Sequence, residues 1–132
     1  MNEVMKAVLR LSNKEKYDYF IDTILECEEV WILMDAEGCA SLGNAADLIL
    51  PVWPKEEYAK ECISGEWAGY QASSIGLDVF MNRWLPGLSE DGIRLNLLWM
   101  DGKGVEVSIE DLLEDLREEL AGDETEEDGA EA

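Results

Sequence analysis

The side-chain types on which small enzymes most often depend are scarce in this sequence. Its 132 residues include no histidine, so neither a Ser-His-Asp triad nor a Cys-His pair can form, and no metal ion can take an imidazole ligand. Three cysteines, Cys27, Cys39 and Cys62, include no C-x-x-C pair. An odd number of cysteines without metal-ligand spacing indicates reduced thiols in a cytoplasmic protein. The sequence therefore favours a protein without catalytic activity, and we expect no cofactor and no metal.

Two short segments combine acidic residues with glycine in a way that invites comparison with ion-binding loops. Residues 35–38 read Asp-Ala-Glu-Gly, and residues 101–104 read Asp-Gly-Lys-Gly. A calcium loop needs a twelve-residue run of ligands that ends in Glu, and a phosphate loop needs Gly-Lys-Ser/Thr between a strand and a helix. Neither pattern is present, so both segments are predicted to be ordinary turns.

The balance of charge restricts the partners that the protein can have. There are 31 acidic and 10 basic side chains, which give a formal net charge of −21. Binding to nucleic acid or to an anionic membrane requires clustered Lys and Arg, so we expect neither of these partners. The N-terminus resembles no signal peptide, and every apolar run is far shorter than the ~20 residues of a membrane-spanning helix. We expect a cytoplasmic protein whose possible partner is a basic protein.

The acidic residues are densest on the last predicted helix. Glu110, Asp111 and Glu114 are the residues that we select as a candidate docking face for such a partner. Like charges spaced four residues apart occur there at 110/114, 111/115, 114/118 and 115/119. These pairs destabilise a helix and raise the pKa of a carboxyl group, unless salt screens them. Adaptation to a salty cytoplasm, or simple solubility, is the alternative explanation for this face.

A second candidate site involves aromatic residues next to irregular segments. Trp53 precedes Pro54, and Trp67 lies within residues 65–76, which are predicted to be irregular. A half-exposed tryptophan is frequent at binding sites, so these two indoles could line a ligand groove in which Arg83 contacts an anion. The alternative is that each indole anchors a loop to the core.

The elements that would position these residues follow from hydrophobic periodicity and from turn residues. Ser12-Asn13-Lys14-Glu15 is a capping box that predicts the start of a helix, and Ser108 is predicted to cap the last helix. Strands are predicted over residues 30–34, 39–42, 48–53, 94–100 and 105–107, with inward alternation of Leu95, Leu97 and Trp99 in the fourth. Pro51 predicts an edge position or a bulge in the third strand.

Further helices are predicted after residue 54 and over residues 77–85, where Pro86-Gly87 is expected to end the second. The order of elements predicts an α+β domain over residues 1–121, built on a mostly antiparallel sheet of about five strands with flanking helices. Residues 122–132 hold six acidic residues, no basic residue and no large apolar one. Such a segment buries too little surface to offset its ordering entropy and is predicted to be a disordered tail.

Several motifs also carry a resemblance to a known family. In chain order they are Tyr17-Asp18-Tyr19-Phe20, Val30-Trp31, Leu50-Pro51-Val52-Trp53-Pro54, Glu66-Trp67 and Arg83-Trp84-Leu85-Pro86-Gly87-Leu88. Together they resemble a bacterial family described as domain of unknown function 2750, from residue 12 to about residue 120. The resemblance implies the fold of that family, and it implies no activity, substrate or catalytic residue.

Two functional hypotheses follow from these observations. In the first, the protein is a non-catalytic interaction module that binds a basic partner, as immunity or antitoxin-like proteins do, because the charge density is high and no catalytic motif is visible. In the second, it is a small-ligand binding module, or an enzyme, with a groove near Trp53 and Trp67.

Overall fold

The computed structural model describes residues 3–44, 47–63, 65–100 and 102–131 of the chain. The helices are α1 (Glu3–Leu9), α2 (Asn13–Cys27), α3 (Glu56–Glu61), α4 (Leu77–Val79), α5 (Leu85–Glu90) and α6 (Ile109–Glu131). The strands are β1 (Glu29–Asp35), β2 (Gly38–Cys39), β3 (Leu42–Asn44), β4 (Asp47–Val52), β5 (Gln71–Gly76), β6 (Arg94–Met100) and β7 (Lys103–Val107). The predicted α+β class is therefore confirmed. None of the helices in the described ranges is both long and apolar enough to cross a membrane.

The strands form two sheets that meet at a pair of tryptophans. One sheet has the order β2-β1-β5 and is antiparallel, and the other has the order β3-β4-β6-β7. In the second sheet β4 and β6 are parallel, whereas its other pairs are antiparallel. Trp31 in β1 and Trp53 after β4 exchange two backbone hydrogen bonds, of 2.8 and 2.9 Å, and thereby join the sheets.

Two hydrophobic cores lie on opposite sides of these strands, because successive residues of a strand point to opposite faces. In β1, Ile32 belongs to the first core and Leu33 to the second. The first core packs α2, α6 and the helical stretch 77–90 against the sheets, and the second packs α1 and α3 against the other face.

The predicted helix starts are confirmed by their hydrogen bonds. At α2 the Glu15 N–H donates to Ser12 Oγ (3.2 Å), and the Ser12 N–H donates to Glu15 Oε1 (3.1 Å). These bonds with Ser12 lower the pKa of the Glu15 carboxyl group. At α6 the Asp111 N–H donates to Ser108 Oγ (3.2 Å). Both caps satisfy N–H groups that have no partner inside the first turn.

The helix that contains Pro86 does not end there, which corrects the sequence prediction. A π-helical turn, Phe80–Trp84, connects α4 to α5, and the helical stretch continues to Glu90. A proline in a regular helix collides with the carbonyl four residues earlier. The π-helical turn changes this spacing, since the Leu85 N–H donates to the Phe80 carbonyl five residues back. Pro86 then occupies the first turn of α5, where its missing N–H costs little.

The strand that contains Pro51 is also placed differently from the prediction. β4 lies between β3 and β6 and is therefore not an edge strand. Its pairing with β3 reaches only to Ile49, and the next pair on that side is Trp53 with Trp31. Pro51 falls between these two pairs, so its missing N–H removes no bond of the described ladder on that side.

A bulge in β6 changes the predicted alternation of inward side chains. Leu97 pairs with Val105 and Met100 with Lys103, which leaves two residues of β6 opposite one of β7. Leu98 adopts a left-handed conformation (φ 55°). As a result Leu98 and Met100 are buried in the second core, whereas Trp99 is only half-buried. Trp99 therefore packs against the second core, and not on the side of Leu95 and Leu97 as predicted.

Two other segments differ from expectation. Residues 39–42 do not form one strand, because β2 and β3 belong to different sheets. Residues 71–76, predicted to be irregular, form β5, which pairs with β1 along its whole length. The hairpin of β6 and β7 is confirmed, although Asp101 of its predicted turn lies outside the described residues. Helix α6 extends to Glu131, so its backbone is helical where a disordered tail is predicted; that disorder stays a prediction.

Candidate functional site

The structure buries both tryptophans that were expected to line a ligand groove. Trp53 is 0% exposed and Trp67 is 7% exposed. Their ring centroids are 6.3 Å apart in an edge-to-face arrangement, and Trp67 lies 5.0 Å from the ring of Trp99. The expectation that they are half-exposed is wrong, because the second core encloses both rings and the Trp99 carbonyl accepts the Trp53 indole N–H (2.9 Å).

Arg83 does not join these tryptophans. It is exposed on the π-helical turn, and that turn packs Phe80 and Met81 into the first core. Trp53 and Trp67 belong to the second core, on the other side of the sheets. The proposed combination of two indoles with an anion-binding arginine is therefore not assembled.

The three acidic residues selected on α6 are brought together on one surface. Three shallow depressions of about 480, 550 and 360 Å³ adjoin along α6 between residues 109 and 121. Glu110 lines the first two, Glu114 lines the last two, and Asp111 lines the third. We call this region the α6 surface and define it by the acidic residues that line it: Glu106, Glu110, Asp111, Glu114, Asp115 and Glu118.

Glu110 is held in place by two serines. Ser89 Oγ donates to Glu110 Oε1 (2.7 Å), and Ser108 Oγ donates to Glu110 Oε2 (3.2 Å). The pKa of Glu110 is therefore lowered, chiefly by the Ser89 hydrogen bond and then by its own backbone N–H and by Ser108. The like-charge spacing predicts a raised pKa, and for Glu110 this expectation is wrong because donors on α5 and at the helix cap stabilise the carboxylate.

A tyrosine from α2 borders the same surface. The Tyr17 hydroxyl donates to Asp115 Oδ2 and so connects α2 to α6. The pKa of Tyr17 is raised, first by burial, then by this hydrogen bond and the negative charges around it. No sequence pattern indicates this contact, because the two residues are 98 positions apart.

The cations at this surface compensate only part of its negative charge. Arg94 in β6 forms ion pairs with Asp47 (2.7 Å) and with Glu106, both at the surface of the second sheet. Arg117 is the other basic residue that lines the three depressions, and it is exposed. Two arginines thus face six carboxylates, so the α6 surface has a negative potential that attracts cationic groups.

The same carboxylates do not form a metal centre. In the described ranges, no group of three or more Cys, Asp and Glu side chains could hold a metal ion. What the arrangement offers is therefore an exposed surface for charge–charge contacts, with Leu113 and Ala121 as apolar parts of its lining.

These features define a small α+β domain with an acidic surface on its last helix. The chain belongs to the family of proteins of unknown function DUF2750, whose model matches residues 17–116. The match begins in α2 and ends in α6 and contains the seven strands of the described residues. The family resemblance noted in the sequence is thereby confirmed. No curated protein matches the chain.

Proposed function

We propose that this protein is a non-catalytic interaction module that binds a basic protein through the α6 surface, in the manner of immunity or antitoxin-like proteins. The observation that carries the proposal is the continuity of three depressions lined by six carboxylates and two arginines. The same proposal places the protein in the bacterial cytoplasm, where a basic protein partner would be available.

The geometry of α6 supports a docking role. Glu110, Asp111, Glu114 and Glu118 are exposed, while Leu112 and Leu116 on the opposite side are fully buried. The helix is therefore anchored by its apolar face and presents its carboxylates to solvent. Complementary charge increases the rate at which a basic partner associates, and this effect weakens as salt screens it.

Charge reversal at two positions tests the proposal. The wild-type chain and the Asp111→Lys/Glu114→Lys variant are immobilised and exposed at low salt to a lysate of the source organism. We expect one basic protein to be retained by the wild type, released as salt is raised, and absent from the variant. A titration of that purified protein should then give a Kd that increases at least tenfold in the variant.

The matched control is Asp22→Lys/Glu26→Lys, which reverses two exposed carboxylates on α2. It changes the net charge by the same amount, so a general charge effect would alter binding equally in both variants. Equal binding by all three proteins, or retention of no basic protein at all, would contradict the proposed function. Glu110 is left unchanged in this experiment because its bond to Ser89 connects α5 to α6.

The ligand-binding alternative gains no support from the structure. Its two indoles are buried and its arginine lies on the other side of the sheets.

A further inference from the structure

Strand β5 forms one end of the three-stranded sheet. In the sheet order β2-β1-β5 it pairs with β1, and in the described part of the chain no other strand pairs with its outer edge. Its sequence is Gln-Ala-Ser-Ser-Ile-Gly. An unpaired strand edge is a template for the strand of another chain.

The hydrogen bonds of β1 show which residues of β5 direct their backbone N–H and C=O groups away from β1. The N–H and C=O of Trp31 both bond to Trp53, and the Leu33 carbonyl accepts the Ala40 N–H. The backbone groups of Trp31 and Leu33 therefore point away from β5. In an antiparallel ladder the backbone groups alternate between the two sides of a strand. The backbone N–H and C=O of Ile32 therefore point toward β5, where Ile32 pairs with Ser73.

The same alternation applies along β5 itself. Gln71, Ser73 and Ile75 direct their N–H and C=O groups to β1, whereas Ala72, Ser74 and Gly76 direct theirs to the free edge. The positions of the outward residues are symmetric about Ser74, with Ala72 two residues before it and Gly76 two residues after it.

β5 lacks charged residues, proline and a bulge, which are common protections against edge pairing. Natural edge strands carry charged side chains, especially Lys, or proline or a bulge that prevents pairing. β5 has no charged residue and no proline, although 31% of the chain is charged, and its pairing with β1 runs without a register shift. Ala72, Ser74 and Gly76 are also small enough to permit a close approach.

We propose that β5 is a dimer interface at which two copies of this chain pair antiparallel about a twofold axis at Ser74. Ser74 then faces Ser74 of the second copy, and Ala72 of each copy faces Gly76 of the other. Each of these pairs can exchange two backbone hydrogen bonds. The two three-stranded sheets become one continuous sheet, and the interface is the same patch on both copies, as twofold symmetry requires.

The net charge gives this dimer a distinctive dependence on salt. Two chains of charge −21 repel one another, while the contact itself is made by uncharged residues. Salt screens the repulsion and leaves backbone hydrogen bonds intact, so dimerisation is expected to strengthen with ionic strength. Binding of a basic partner to the α6 surface has the opposite dependence, which separates the two proposals.

Sedimentation velocity of the full chain over a range of concentrations and salt tests the inference. We expect the apparent mass to increase from 14.8 kDa toward twice that value as the protein concentration or the salt concentration is raised. Hydrogen exchange at the amides of Ala72, Ser74 and Gly76 should slow in parallel. The variant Ser74→Pro removes an outward N–H that β1 does not use, and it should remain monomeric while retaining its circular dichroism spectrum.

A second variant tests the interface in case Ser74→Pro does not fold. Ser74→Lys places two like charges opposite each other in the dimer, and we expect its dimer Kd to increase at least tenfold even though the net repulsion decreases. Its matched control is Ser41→Lys, at an exposed serine outside the strands, which should dimerise at least as well as the wild type. A wild-type chain that stays monomeric at high salt, or dimers insensitive to both Ser74 variants, would overturn the inference.

Discussion

The indole N–H of Trp53 donates to the backbone carbonyl of Trp99 across 2.9 Å. The Cys62 thiol donates to the same oxygen across 3.3 Å. This carbonyl faces the second core because Leu98, the residue before it, has a left-handed conformation in the bulge of β6. One irregular residue in a strand thus determines where the end of β4 and the end of α3 attach to the sheet.

The variant Trp53→Phe should be destabilised by about 2–4 kcal/mol. It loses the indole hydrogen bond, and it leaves a cavity in a fully buried position beside Trp67. Equilibrium unfolding in urea measures the change. Trp84→Phe, at a half-buried tryptophan, is the control and should cost clearly less. If the free energy of unfolding decreased equally in the two variants, a special role for the Trp53–Trp99 hydrogen bond would be refuted.

Gly104 should not tolerate a side chain. A Cβ atom there would lie 1.8 Å from Asn96 Oδ1 and 3.0 Å from the Trp99 Cα atom, opposite the bulge. We expect Gly104→Ala to lower the free energy of unfolding by about 1–3 kcal/mol, as overpacking does. Gly69→Ala is the matched control, because its Cβ meets nothing within 4 Å. A Gly104→Ala protein as stable as that control would show that the bulge can rearrange freely.

The capping box of α2 should contribute to the pH dependence of stability. The folded pKa of Glu15 is lowered from its ordinary value of 4.5 by the bonds with Ser12. A lowered folded pKa adds stability above the unfolded value, and this stability is lost as the pH falls through the folded pKa. Ser12→Ala should therefore lower Tm by several degrees at pH 7 and by less at acidic pH. A difference in Tm that is unchanged by acid would contradict this assignment.

Limited proteolysis should distinguish the folded part of α6 from its acidic end. Leu116 is fully buried, whereas Leu120, one turn later, is 37% exposed. Residues 122–132 contain six carboxylates and no large apolar side chain that could hold them to the core. We expect early cleavage after about Leu120, with a remaining domain that unfolds at the Tm of the intact chain. Protection of the last eleven residues equal to that of the core would refute the predicted tail.

Local features of the structure could be predicted from the sequence because their causes are local. The cap at Ser12 requires only a hydroxyl and a glutamate three residues later, and β1 requires only a short apolar run. The selection of Glu110, Asp111 and Glu114 as one exposed face depended on helical periodicity alone, and α6 places them together. Whether a basic partner binds there is a property of another molecule and stays a prediction.

The features that were mispredicted depend on contacts between distant segments. Trp53 and Trp67 are next to turns in the sequence, yet the second core encloses both, and a carbonyl 46 residues after Trp53 accepts the indole N–H of Trp53. In the sequence Trp99 alternates with Leu95 and Leu97, and the bulge opposite Gly104 places it against the second core instead of the first. Glu110 has acidic neighbours on its own helix, but a serine on α5 decides the direction of its pKa shift.

The chain itself thus determined the α+β class, the helix caps, the acidic last helix and the family to which it belongs, because periodicity, capping and motif order are properties of neighbouring residues. Only the tertiary structure decided which tryptophans are enclosed, how Pro51 and Pro86 are accommodated, and that the uncharged strand β5 lies at the end of its sheet in the described part of the chain. The physical reason is that burial, sheet order and the direction of a backbone carbonyl are set by segments far apart in sequence, and periodicity contains no information about which of them pair.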